Sequence, residues 1–303
     1  MSKAYTREIG PAAPIEAVSV ESYWKNVFRR FRRNRMAVVS FFILSIIVLM
    51  CLFVPILSPY TIEGTRLDAS IRDQPPSAAH WLGTDKIGRD LFTRLFYGGR
   101  ISLGTSLIAT AALCVVGVVL GCLSGYYRGF IDALIMRLSE MFMSFPFTMM
   151  CITLGAVFGP GPRTMVIVLA MLGWPSICRI VRGQILTLRE LEYMEACEAL
   201  GISDFRRIFR HLFPNVLAYI IVYATLSMAG VILTETALSF LGLGVSPPTP
   251  SWGNLIQEAR DVTVLANKWW YWMPPGIMIC LSVMCFNILG DGLRDAVDPK
   301  MKR

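Results

Sequence analysis

Of the chain's 303 residues, 54% are hydrophobic and only 17% are charged, with a net charge of +8 at neutral pH. A soluble globular protein carries about 25% charge, and here the charge is gathered into joints between apolar windows of roughly twenty residues, the pattern a bilayer imposes. That excludes an ordinary soluble enzyme. Because no basic patch is interleaved with stacking aromatics, nucleic acid is excluded as a partner too. The class that remains is all-α, a polytopic membrane protein with six transmembrane helices in contact with lipid.

Residues 1–36 are read as a cytosolic arm. They begin without a hydrophobic core, which argues against a cleaved signal peptide. Within them, Trp24, Phe28 and Phe31 recur at helical spacing among Lys25, Arg29, Arg30, Arg32, Arg33 and Arg35. This is the pattern of an amphipathic basic helix lying along an anionic leaflet and leading straight into the membrane. Residues 37–303 form the membrane domain. Its first span is 37–57, stopped by Pro55 and Pro59.

The polar joint 58–99 follows, closed by an amphipathic helix over 91–97 that enters the second span, 101–126. That span carries Gly117, Gly121 and Gly125, a smooth face against which another helix can lie closely. The third span, 139–158, has Glu140 near its start and Pro146 in its interior. The proline should kink the helix, which is tolerated only beside protein or a water path. The fourth span is 164–180, the fifth 216–233 and the sixth 273–289. Between the last two lies a joint with Leu241-Gly242-Leu243-Gly244, a proline-rich stretch, a short helix over 252–260 and the aromatic cluster Trp269–Trp272 at the headgroup level.

Six spans place both termini on one side. If that side is the cytosol, it holds 20 of the 29 Lys and Arg residues, as the positive-inside rule requires. Six basic residues in 58–100 fall on the outer side, where Glu63, Asp68, Asp73, Asp85 and Asp90 nearly offset them. Eight cysteines lie within or at the ends of apolar segments or, for Cys197, in a polar loop. With only His80 and His211 available, they read as small buried hydrophobes, not as a metal or disulfide framework.

The most informative stretch is the polar interruption 179–214, between two spans. Residues 191–200 are good helix formers, Gly201 suits a helix stop, Ser203 or Asp204 can cap a second helix over 204–212, and Pro214 is expected to close it. Glu195 supplies a charge, Ala196 and Cys197 allow close backbone approach, and Gly201 permits a sharp turn. The shape is that of a docking knob.

Glu195, Ala196 and Gly201, with Pro214 thirteen positions after the glycine, resemble the EAA loop of ABC-importer permeases. Cys197 stands where that pattern has alanine, and His211 where it prefers an aliphatic residue. From about residue 80 to the end the chain is similar to the oligopeptide/dipeptide (peptide/nickel) class, in particular the second of its two permeases. The residues that carry this are Leu82-Gly83-Thr84-Asp85 with Gly88-Arg89-Asp90, Gly99–Leu103, Ser239–Gly244, Pro247–Gly253, and Asn287–Asp295 with Asp298-Pro299.

The resemblance implies a non-catalytic subunit of a bacterial or archaeal plasma-membrane importer, partnered by a homologous sister permease, two cytosolic ATPases and an extracytoplasmic solute-binding protein. It implies that Glu195, Ala196, Cys197, Gly201 and Pro214 couple to an ATPase, that ATP and Mg are bound by the partner subunits and not by this chain, and that the cargo is a peptide. Nickel chelates, glutathione or oligosaccharides are the cargoes of other branches.

The sequence contains no G-x-x-x-x-G-K-[ST], so no P-loop nucleotide site, and neither H-E-x-x-H nor G-x-S-x-G. No catalytic, cofactor-binding or metal-binding residue is therefore assigned, and the substrate-contacting residues are left unknown. An ion-coupled secondary transporter, the rival class, usually places ionisable groups at mid-membrane. Here Asp132, Glu140, Glu235 and Asp291 read as lying at span ends.

Overall fold

The computed structural model describes residues 23–60 and 71–297. The first part of the arm, Glu63, Asp68 and the closing Asp298-Pro299 lie outside those residues. The described residues form helices α1 (Tyr23–Arg33), α2 (Arg35–Leu57), α3 (Leu91–Tyr127), α4 (Gly129–Ser144), α5 (Phe147–Phe158), α6 (Pro162–Arg189) and α7 (Glu192–Ala199). They continue with α8 (Asp204–Arg206), a π-helical stretch (Arg207–Leu212), α9 (Phe213–Phe240), α10 (Trp252–Gln257), α11 (Val262–Asn267) and α12 (Trp269–Val297). No strand is formed among them; a single isolated bridge joins Thr84 and Asp90.

Five helices are long and apolar enough to cross a membrane, and α4 with α5 makes a sixth span if that bent pair is counted as one. Every span is longer than its apolar core, because the helix continues through the flanking polar residues. The amphipathic segment before the second span is part of α3 itself, its Leu91, Leu95 and Phe96 buried.

Three expectations change. The arm does not run straight into the first span: Asn34 breaks it, with a β-region backbone and a side chain that accepts from the N–H of Ala37 at 3.2 Å, an N-cap. Val27 and Phe31 of α1 pack on Ala218, Val222, Ala296 and Val297, so one face of the arm is docked on protein. The third span begins at Gly129 and is broken, not kinked, at Phe145-Pro146, where α4 and α5 meet at 88°. Pro214 does not close a helix. The chain is helical from Asp204 to Phe240, because Phe213 N–H bonds to the Ile208 carbonyl, five residues back. The ring of Pro214 therefore meets a turn already widened to π register, not the tight α turn it would clash with. Pro55 lies in the last turn of α2, which ends at Leu57 as expected, with Ser58 in extended backbone before Pro59.

The core is built around α3, α6 and α9. The glycine face of α3 lies directly on α6: a Cβ on Gly117 would fall 2.2 Å from Ile177 Cγ2 and 2.7 Å from the Trp174 carbonyl, and one on Gly121 would fall 2.7 Å from the Cys178 carbonyl. Close backbone approach of this kind is what small residues permit in a bilayer, where apolar burial gives helices no reason to associate. Seven of the eight cysteines are buried.

A second cluster joins α2, α3, α9, α10 and α12 around Trp252. The indole N–H of Trp252 donates to the Leu95 carbonyl at 3.0 Å, and its backbone N–H donates to Ser102 Oγ at 3.1 Å. Several charges of the joint before α3 are paired, most with near neighbours in sequence and Asp73 with the distant Lys268. Asp85 accepts from Arg89 Nε at 2.6 Å and from Arg94, His80 Nδ1 lies 3.0 Å from Asp90, and Asp73 and Lys268 are 2.7 Å apart.

Candidate functional site

Leu191, in extended backbone, leads into helix α7, which carries Glu192 and Glu195 in its first turn, where the positive end of the peptide dipoles favours a carboxylate. It ends in a Schellman motif. Gly201 takes φ +67°, its N–H bonds to the Glu198 carbonyl at 2.9 Å, and the N–H of Ile202 bonds to the Cys197 carbonyl at 3.1 Å. No atom within 4 Å would obstruct a Cβ at Gly201, so glycine is required by the backbone angle, not by space. The chain then reverses into α8 and the π-helical stretch.

The five sequence-assigned residues do not share one face. Glu195, Ala196 and Gly201 are exposed, as is Pro214 near the start of α9. Cys197 is buried and so is Met194, three positions apart on the inner side of α7. Cys197 therefore packs inward, and the surface offered to a partner is Glu195-Ala196. Met194 belongs to the main core, together with Ile208 and Leu212 of the π-helical stretch and Val216 of α9. Inward packing ties the loop to the spans. Leu200, Phe205 and Phe209, by contrast, are exposed apolar residues of the loop; Phe209 shares a pocket with Val115 and Val119 of α3, and the rings of Phe205 and Phe209 lie 4.5 Å apart.

A polar clasp holds the loop to the ends of α3 and α6. Tyr126 Oη donates to Asp204 at 2.8 Å. Arg207 donates to Asp204 at 2.9 Å, to Glu198 at 3.2 Å and to the Ile202 carbonyl at 2.8 Å. The guanidinium groups of Arg189 and Arg207 lie 5.5 and 5.9 Å from the centroid of the Tyr126 ring, and Arg189 donates to the Tyr126 carbonyl. Close by, Arg182 of α6 grips Asp132 of α4 through two bonds of 2.6 Å, and Arg128 pairs with Glu190 at 2.7 Å.

Sequence reasoning assigned none of these clasp residues. Their only linear signal was the clustering of arginines at span ends, which topology also produces. Among the described residues, no group of three His, Cys, Asp or Glu side chains is placed to hold a metal.

The geometry is that of a short, rigid, outward-turned helix hung between two spans and wired to a third. Residues 117–303 match the family of binding-protein-dependent transport system inner membrane components. The chain belongs to that family of permeases. Residues 22–76 match the N-terminal TM domain of oligopeptide transport permease C.

The permease is 40% identical to the dipeptide transport system permease protein of Bacillus subtilis over 282 residues, covering 93% of this chain and 87% of the relative. It is 39% identical to the oligopeptide transport system permease protein of the same organism (97% and 95% covered). It is 38% identical to the glutathione transport system permease protein of Pectobacterium atrosepticum (94% and 93% covered). Its fold is also that of a chain in an inward-facing structure of the MetNI methionine ABC transporter, with a TM-score of 0.55 at 18% identity, covering 68% of this chain and 96% of that one. It is a multi-pass subunit of the inner membrane and serves in import that depends on a binding protein.

Proposed function

We propose that this permease forms, with a homologous sister permease, the translocation path of an ATP-driven importer of peptides. Both termini lie in the cytosol, two cytosolic ATPases bind the ATP and Mg, and an extracytoplasmic solute-binding protein delivers the cargo. The peptide cargo is supported by the names of relatives that align over nearly the whole chain, including glutathione, itself a short peptide, for one of them. This chain does no chemistry of its own.

The observation that carries the coupling role is the placement of Glu195 and Ala196 on the exposed side of α7 while its other side is packed into the core of the spans. Displacement of the exposed side by an ATPase would therefore be transmitted to α3, α6 and α9 through packed side chains, the means by which a small local shift becomes a change of bundle arrangement. Gly201 sets the turn, Cys197 locks the inner side, and Pro214 marks where the lever joins its span.

Uptake of a labelled tripeptide into membrane vesicles holding the assembled transporter tests this. Uptake should require ATP and survive collapse of the proton gradient. Uptake that survives ATP depletion and collapses with the gradient would instead establish an ion-coupled carrier. Glu195→Lys and Gly201→Pro should insert normally yet lose transport; full transport by both would remove the coupling assignment.

A further inference from the structure

Within the membrane domain, α3, α5, α6 and α9 leave an open cavity of about 250 Å³. Its polar lining is Ser176 of α6 and Tyr223, Ser227 and Thr234 of α9. These three residues of α9 follow one another at intervals of four and seven, one face of a helix. Thr234 donates to the Gly230 carbonyl at 2.8 Å, which leaves its oxygen free to accept. Ser176 and Gly230 are exposed, and a Cβ on Gly230 would meet no atom within 4 Å.

Two interruptions of regular helix border the same cavity. Phe147, in its wall, follows the 88° break at Phe145-Pro146, and both residues of that break are exposed. Pro175, next to Ser176, lies inside α6 and deprives the Met171 carbonyl of its helical partner. Irregular backbone at membrane depth is tolerated where protein buries it or where it lines a water-filled cavity, and this chain does not bury the Phe145-Pro146 break. Hydroxyls and broken backbone together mark a face turned away from lipid.

No Asp, Glu, Lys, Arg or His side chain lines the cavity. Its chemistry is that of neutral donors and acceptors between apolar walls such as Leu169 and Leu113, which suits amide N–H and C=O groups and is indifferent to side-chain charge. Its volume falls just below the roughly 300–1,000 Å³ of complete ligand pockets, as befits one wall of a site completed by a second subunit. We propose that this cavity is a cargo-contact site in the translocation path, where Ser176, Tyr223 and Ser227 hydrogen-bond the main-chain amides of a passing peptide. The proposal rests on the peptide-import reading above.

Cysteine labelling in vesicles holding the assembled transporter tests it, with Cys280, the one exposed native cysteine, replaced by serine. Wild-type uptake of trialanine is measured first, and its absence would count against the peptide cargo and so against a peptide site. Ser227→Cys should react with a charged, membrane-impermeant thiol reagent, and trialanine should slow that reaction at least several-fold. Ile167→Cys, nine residues before Ser176 and hence on the opposite side of α6, should not react. An unreactive Ser227→Cys, or one that reacts equally with and without trialanine while wild-type uptake is normal, would overturn the cavity and leave the cargo reading standing. Gly230→Leu, whose Cβ would meet no atom of this chain within 4 Å, should cut trialanine uptake at least tenfold while ATP hydrolysis and insertion persist; unchanged uptake would overturn the proposal as well.

Discussion

Gly201 is the residue on which the shape of the lever turns. An L-residue at its φ of +67° costs roughly 1–2 kcal/mol, and asparagine less than alanine, so Gly201→Ala should loosen the end of α7 more than Gly201→Asn does. Faster amide exchange at Gly201 and Ile202, whose N–H groups close the motif, reports it directly; equal protection in the two variants would refute the backbone argument. The helix stop at Gly201 is legible from the sequence, whereas Glu195 and Ala196 stand out only through the resemblance to the EAA loop. The inward turn of Cys197 was legible too, had Met194 and Cys197 been read as an i, i+3 buried pair. Arg207 was not legible. Its value comes from Glu198, Asp204 and the Ile202 carbonyl meeting around it after the chain has reversed, and no sequence period records that.

At the scale of elements, α3 and α6 pack as the glycine spacing foretold, and the prediction is steric. Gly121→Val places atoms where the Cys178 carbonyl and Val181 already stand. Overpacking of this kind costs about 1–3 kcal/mol, so the thermal midpoint of the purified protein should fall. Gly183→Ala on α6, where a Cβ meets nothing within 4 Å, should leave it unchanged or raise it, since alanine is the better helix former by roughly 0.5–1 kcal/mol. A similar midpoint for both variants would contradict the close packing.

The long apolar runs that a bilayer enforces make five spanning helices legible, with α4 and α5 a sixth if that bent pair counts as one span, whereas the effect of each proline depends on packing that no apolar run records. Pro214 does not stop its helix, because the π-helical turn that accommodates it rests on the core packing of Ile208 and Leu212. Pro146 makes an 88° corner instead of a kink, with α4 held to α6 by the Asp132–Arg182 pair and α5 packed on α6 and α9.

For the whole molecule, two polar assemblies stand at opposite ends of the spans: the lever with its clasp, and a crown made of residues 71–90, α10 and α11. The crown is fastened by Asp73 to Lys268 and by Lys86 to Glu258, at 2.7 and 3.0 Å. Burial would raise the carboxyl of Asp73, but hydrogen bonds from Lys268 and Tyr271, with the charges of Lys268 and Lys86, outweigh it and hold the group below its usual range. A carboxylate with a depressed folded pKa contributes stability above its unfolded value of about 3.9 and loses that contribution as pH falls through the folded value. Acidification below about pH 4 should therefore loosen residues 71–90 before the spans, seen as proteolytic cleavage there. Asp73→Asn should show the same cleavage near neutral pH, and resistance of that variant would refute the role of the pair.

On the proposed coupling role, transport depends on a contact at α7 that this chain alone does not contain. A photoactivatable residue at position 196, in vesicles holding the assembled transporter, examines that contact directly. The account predicts a covalent link to a nucleotide-hydrolysing subunit, with a yield that changes when ATP is added; a link to lipid alone, with no such subunit captured in either state, would contradict it.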